Sequence, residues 1–88
     1  MSLEITKTEI EDGVGVVWVE SESMEEVLAP LARKMAYEAR IKMGLADAGL
    51  DVREVQALDN KGKIIDESGP MVKAARYRRI FTLLSPPI

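Results

Sequence analysis

Residues 9–19 read EIEDGVGVVWV, and this stretch decides the fold. Asp12-Gly13 lies between two runs of β-forming residues, and Asp-Gly in that context is the strongest short-range signal for a two-residue hairpin, because both turn positions need a positive φ. Residues 3–10, LEITKTEI, alternate loosely between apolar and polar, and residues 14–19 are nearly all apolar. The chain therefore begins with two antiparallel strands.

The register of this hairpin predicts which side chains share a face of the sheet. With Asp12 and Gly13 as the loop, Thr6 lies opposite Val19, Thr8 opposite Val17 and Ile10 opposite Gly15. The other face then holds Ile5, Lys7, Glu9, Val14, Val16 and Trp18. A strand that is apolar on both faces is usually covered on both sides.

Val14, Val16 and Trp18 therefore need a cover, and they form a predicted interface. Either residues 70–84 bury them within the chain, or a second copy or another protein does, since large exposed apolar patches are uncommon on monomers. The interface predicts a protein partner or a homo-oligomer.

The next stretch predicts a helix. Ser23 as N-cap with Glu26 three residues later forms a capping box. Pro30 removes a backbone hydrogen bond, so we expect a kink or a short turn before a main helix that starts near Leu31. Gly49 fits the glycine after the helix better than Gly44 does. An apolar stripe follows the helical period: Met24, Leu28, Leu31, Met35 and Ala39.

The second half of the chain predicts further strands. Residues 52–58 and 63–66 flank Asp59-Asn60-Lys61-Gly62, which indicates a second hairpin with Gly62 in a left-handed conformation. Residues 71–84, MVKAARYRRIFTLL, fit a helix or a strand, and we favour a strand from about Tyr77, with room for a helical turn at 70–75 before it.

These elements predict an α+β fold in two layers, with one main helix packed on a mixed sheet. The order is β-β-α-β-β followed by a C-terminal strand or helix, in a single domain of residues 1–88. A right-handed crossover through the helix should make the second and third strands parallel within an otherwise antiparallel sheet.

Composition narrows the functional classes. The chain has neither His nor Cys, so the usual base near neutral pH and the thiol nucleophile are missing, and we predict that it is not an enzyme. Its lack of Cys and His alongside 31% charged residues is typical of thermophile proteins. No apolar run approaches the length of a membrane span and no signal peptide is recognisable, so we expect a cytoplasmic protein with no membrane partner.

Charge is distributed unevenly along the chain. Residues 1–26 carry eight acids and one base, whereas the remainder carries seven acids and eleven bases, within an acidic total of −3. Hard carboxylate oxygens bind Ca²⁺ or Mg²⁺. The acids near the helix start form a candidate divalent-cation site, although a solvated helix terminus is the favoured interpretation: Glu4, Glu20, Glu22, Glu25 and Glu26.

The C-terminal half carries a basic cluster. Aromatic and basic side chains interleave there, a mix that could stack a base and grip phosphates. The acidic total and the absence of an RNP motif or GXXG loop argue against nucleic acid. The residues of this predicted RNA site are Lys73, Arg76, Tyr77, Arg78 and Arg79.

Three stretches carry a resemblance: MSLEITKTEIEDG at 1–13, LADAGLDVREV at 45–55 and DNKGK at 59–63. They resemble small uncharacterised archaeal α+β proteins. The resemblance implies a compact domain without an assigned activity, and it transfers no functional residues. From the sequence we therefore expect a small non-catalytic binding or assembly module, with a Ca²⁺/Mg²⁺-binding protein as the alternative and an RNA-binding module third.

Overall fold

The computed structural model describes residues 3–66 and 73–84, and it confirms the α+β class. Two helices accompany a curled sheet of five strands. The elements are β1 (Glu4–Glu11), β2 (Val14–Ser21), α1 (Met24–Leu28), α2 (Pro30–Lys42), β3 (Gly49–Leu58), β4 (Ile64–Asp66) and β5 (Arg76–Leu84).

The strand order is β1-β2-β5-β3-β4, and every neighbouring pair is antiparallel. Because β2 and β3 both run antiparallel to β5, they share a direction, but β5 lies between them. The predicted mixed sheet is therefore wrong for the described residues. β5 takes the central place because residues on both of its faces, Ile80 and Phe81 among them, are buried there.

The first hairpin confirms the predicted turn. Asp12 has φ 53° and Gly13 has φ 78°, as a type I′ turn requires. Thr8 pairs with Val17 as expected, but a bulge between Ile5 and Lys7 shifts the rest of the strand, so Ile5 rather than Thr6 pairs with Val19. A bulge adds one unpaired residue and reverses the faces beyond it.

The sheet has an inner face towards the helices and an outer face. Cross-strand partners share a face, so Gly15, Val17 and Val19 of β2 and Phe81 and Leu83 of β5 lie on the inner face. The two valines, Phe81 and Leu83 pack with alanines of α2, Ala32, Ala36 and Ala39, to form the main core. The outer face holds the alternate residues, among them Val14, Val16, Trp18, Glu20, Arg76, Arg78 and Ile80.

The helical region consists of two helices, α1 and α2, instead of the single main helix that was predicted. α1 begins directly after Ser23 as predicted, but the Ser23 side chain makes no capping hydrogen bond, and its amide donates to Ser21 Oγ at 3.1 Å instead. α2 begins at Pro30, which confirms a short turn ahead of the longer helix. Pro is favoured at a first helical position, where its missing N–H removes no helical hydrogen bond.

The predicted apolar stripe is wrong across the break between the helices. Ala39 is buried as predicted, but Leu28 and Leu31 are 45% and 38% exposed, and Val27, Ala32 and Ala36 are buried in their place. The extended residue Ala29 ends one helix before the other begins, so one helical period cannot run through both. Small alanines also let α2 approach the sheet closely.

α2 ends at Lys42, and Gly44 rather than Gly49 is the glycine that follows it. Gly44 has φ 77°, Leu45 N donates to Arg40 O at 2.8 Å, and Gly44 N donates to Ile41 O at 3.2 Å. This is a Schellman motif, which satisfies the last helical carbonyls. Gly49 instead opens β3, so the predicted helix end is wrong.

The C-terminal half agrees more closely with expectation. Asp59 Oδ1 accepts hydrogen bonds from the amides of Lys61 and Lys63 at 2.8 and 2.9 Å, and Gly62 has φ 82°, which confirms the second hairpin. Residues 76–84 form a strand, as favoured. Residues 70–72 of the predicted helical turn lie outside the described residues, and residues 73–75 are not helical.

Candidate binding surface

The outer face carries a cluster of charged residues around Glu20, here named the Glu20 cluster. Glu20 is only 7% exposed, and it accepts hydrogen bonds from Thr6 Oγ1 at 2.6 Å, Arg76 Nε at 2.9 Å and Arg78 Nε at 3.0 Å. Arg76 also pairs with Glu4. The strand register brings the residues together, because β2 lies between the strands that supply them.

These contacts change the proton affinities of the cluster. Burial alone raises the pKa of Glu20, but the hydrogen bonds from Thr6, Arg76 and Arg78 outweigh it, so that the pKa is lowered. The hydrogen bond to Glu20 raises the pKa of Arg76. Carboxylate and guanidinium therefore hold each other in the charged form.

Trp18 is half-buried on the outer face, beside the Glu20 cluster. Arg78 Cζ lies 3.8 Å and Lys7 Nζ 4.3 Å from the centroid of its ring, so cations of β5 and β1 contact the indole. β5 lies next to Trp18 in the sheet and does not cover it. This differs from the predicted alternative in which residues 70–84 bury Trp18. Val14 and Val16 share this face and are also half-buried, so the predicted interface residues do come together.

The five predicted cation ligands do not form one group, because two lie on the sheet and three lie at the start of α1. Glu4 and Glu20 are paired across β1 and β2, but Arg76 binds both. Glu22 and Glu25 are exposed at the start of α1, and Glu26 Oε2 is a buried atom without a hydrogen-bond partner. Within residues 3–66 and 73–84, no group of three or more acids is placed to hold a metal ion. The Ca²⁺ or Mg²⁺ site stays a prediction.

The residues of the predicted RNA site do not share one surface, because successive side chains of β5 point to opposite faces of the sheet. Arg76 and Arg78 lie on the outer face, whereas Tyr77 and Arg79 lie on the inner face and Lys73 precedes the strand. Tyr77 is 8% exposed and its hydroxyl accepts a hydrogen bond from the Ala74 amide at 3.1 Å. Arg79 Nη1 donates to Val27 O at 3.0 Å, and burial together with the nearby Arg33 lowers its pKa.

A groove lies between β1 and α2 on the inner side of the sheet, and it is named here the β1–α2 groove. α2 packs over β2 and β5, which leaves the inner face of β1 beyond the edge of the helix. Ile5 and Ile10 are accordingly 36% and 48% exposed. The groove has a volume of about 410 Å³ and is lined by Ile5, Thr8, Met35, Glu38, Ala39, Lys42 and Met43.

Sequence reasoning missed this groove for two reasons. The hairpin register without a bulge placed Ile5 on the opposite face, and no residue type in ITK at 5–7 marks a bulge. The apolar stripe directed attention to Leu31 instead of the Ala32-Ala36-Ala39 spacing that seats α2. That alanine spacing, which fits a helical face, was the one signal available.

Two further findings bear on function. Within the described part of the chain, neither helix is long and apolar enough to cross a membrane. Comparison with protein-family models, with curated proteins and with solved structures gives no match for this chain.

Proposed function

We propose that the protein is a small non-catalytic module that binds another protein chain along β1 and the β1–α2 groove. The observation that carries the proposal is the position of β1, an eight-residue strand at the end of the sheet whose inner face extends past α2. Ile5 and Ile10 are exposed on that face. A partner would remove this apolar surface from water, which is favourable.

The edge of β1 supports the same proposal. β1 pairs only with β2 among the described strands, so one row of its backbone N–H and C=O groups has no strand beside it. Such an edge is a template for an added strand, where backbone hydrogen bonds give affinity and side-chain pockets give specificity. The groove lies next to that row and supplies a pocket of mixed character, with Glu38 and Lys42 among apolar residues.

The outer face supports partner binding less well. Glu20, Arg76 and Arg78 satisfy one another, and Trp18 is already in contact with two cations. The cation-binding and RNA-binding alternatives have less support for related reasons. Arg76 and Arg78 together neutralise Glu4 and Glu20, and the basic residues of β5 point to opposite faces.

The proposal can be tested by selecting random displayed 12-residue peptides against the full chain. We expect extended, alternating apolar peptides that shift the amide NMR signals of Thr8, Met35 and Met43. Ile5→Lys should abolish their binding, because it places a charge in the β1–α2 groove. Ile65→Lys is the matched control, since Ile65 is 50% exposed on β4 at the opposite end of the sheet. Failure to enrich any peptide, or shifts confined to the outer face, would contradict the proposal.

A further inference from the structure

We infer that a partner of this module is a second copy of the same chain, joined by antiparallel pairing of β1 with the partner's β1 around a two-fold axis at Thr8. This inference rests on the proposed function and names the partner of that surface. It places Lys7 of each copy opposite the partner's Glu9.

The backbone of β1 determines which residues face the open edge. Glu11 and Val14 flank the two-residue turn and pair with each other, and in such a turn the first carbonyl accepts from the fourth amide. Hydrogen-bonded and non-bonded pairs alternate along an antiparallel ladder. Glu11, Glu9 and Lys7 therefore direct their backbone groups to β2, and Thr8 and Ile10 direct theirs to the open edge.

This alternation restricts the registers that a second β1 can adopt. Edge-facing residues must pair with edge-facing residues, and a slip by one position would also join the inner face of one copy to the outer face of the other. The axis can then pass through Lys7, Thr8 or Glu9. An axis at Lys7 sets two lysines opposite each other, and an axis at Glu9 sets two glutamates opposite each other, which is destabilising.

The axis at Thr8 is the one of these three registers in which both Lys7 and Glu9 lie opposite a residue of the other charge. Lys7 faces the partner's Glu9 and Glu9 faces the partner's Lys7, both as non-bonded pairs whose side chains approach most closely. Within each copy Lys7 Nζ already lies 3.0 Å from Glu9 Oε2. The two-fold operation therefore generates a square of four alternating charges on the outer side.

The inner side of the same pairing is apolar. Ile10 lies beside the partner's Ile5–Thr6 bulge, so the two most exposed apolar residues of β1 cover each other across the junction. Both α2 helices lie on this side of the joined sheet, and the two β1–α2 grooves become the walls of one trough. The regular run is short because the bulge interrupts it at Thr6, so the dimer should be weak and dependent on concentration.

The test is sedimentation equilibrium of the full chain from about 10 µM to about 1 mM at low salt, where interactions between exposed charges are screened least. The wild type should approach the mass of two chains. Lys7→Glu and Glu9→Lys should each raise the dimer dissociation constant about tenfold or more, because each sets like charges opposite each other twice. An equimolar mixture of the two variants should restore association as a heterodimer, which a purely structural role of either residue would not produce.

Glu11→Lys is the matched control, with the same change of charge on the same side of the strand. Glu11 lies outside the two Lys7–Glu9 pairs of the inferred register, so association should persist. Loss of association with Glu11→Lys but not with Glu9→Lys would overturn the register, and a one-chain mass for the wild type at every concentration would overturn the dimer. If that monomer still binds selected peptides in the groove, the self-pairing fails and the binding function stands.

Discussion

Glu20 is a nearly buried carboxylate whose position depends on three strands. β2 carries it, β1 supplies Thr6, and β5 supplies Arg76 and Arg78. Taking such charges out of water is costly, and removing one partner leaves the others buried without compensation. The Glu20 cluster therefore contributes to the specificity of strand order, because β5 must lie next to β2 for the pairs to form.

We predict that Glu20→Gln lowers the free energy of unfolding by about 2–3 kcal/mol at pH 7, a value reduced from the fully buried case because Arg76 is partly exposed. Urea unfolding followed by circular dichroism measures it. The folded pKa of Glu20 is lowered, so its contribution is present above its ordinary pKa near 4.5 and is lost as pH falls through the folded pKa. The wild type should therefore lose more stability than the variant as the pH falls from 5 to more acidic values.

Glu11→Gln is the control for this prediction, since Glu11 is exposed on the same hairpin. It should change stability by less than about 0.5 kcal/mol. Equal effects of the two substitutions would mean that the arginine contacts of Glu20 contribute nothing to folding.

At the level of elements, the packing of β2 under the loop after α2 depends on a glycine. A Cβ at Gly15 would lie 2.6 Å from Leu45 Cδ1, 3.2 Å from Leu83 Cβ and 3.2 Å from Met43 Cε. The end of the Leu45 side chain can move, but Leu83 is fully buried in β5 and the position of its Cβ is fixed by the strand backbone. Close approach of backbone to neighbouring side chains thus explains a glycine inside an otherwise β-branched strand.

We predict that Gly15→Ala destabilises the protein by about 1–2 kcal/mol through overpacking. Gly49→Ala is the matched control, because Gly49 also lies in a strand and a Cβ there meets nothing within 4 Å. That control should be neutral or slightly stabilising, since alanine restricts the unfolded chain. Thermal unfolding of both variants checks the pair, and a lower melting temperature for Gly49→Ala than for Gly15→Ala would contradict it.

The boundaries of the helices and turns show which structural features can be predicted from residues that are neighbours in sequence. Ser23, Pro30 and Asp12-Gly13 each marked a boundary correctly, because turn and terminus chemistry involves residues that are adjacent in sequence. The choice between Gly44 and Gly49 was not local. Both are followed by a leucine, and only the entry of residues 49–58 into the sheet selected Gly44 as the glycine that follows α2.

For the whole molecule, β5 organises the sheet although it comes last in the chain. It pairs with β2 along Val14–Ser21 and with β3 along Gly49–Leu58, whereas β4 pairs only with Ala57 and Leu58. Elements with few partners open at lower free energy than the core of a sheet.

We therefore predict that amide hydrogen exchange is slowest at Val17 and Phe81 and fastest, among the strands, at Ile64–Asp66. The difference in protection should be at least about a hundredfold, because β4 can open without disturbing the core. Exchange followed by NMR on the full chain provides the measurement. Protection of β4 equal to that of β5 would show that the sheet opens only as one unit.

The sequence by itself determined the two turns, the strands that flank them, the starts of α1 and α2, and the α+β class. Each of these depends on φ preferences and on apolar periodicity among neighbouring residues. Tertiary structure alone decided that β5 separates β2 from β3, that Ile5 faces inwards, and that Arg76 and Arg78 bind Glu20. Those outcomes arise from contacts between residues up to 70 positions apart, as at Val14 and Leu84, where burial of a strand apolar on both faces outweighs any local preference.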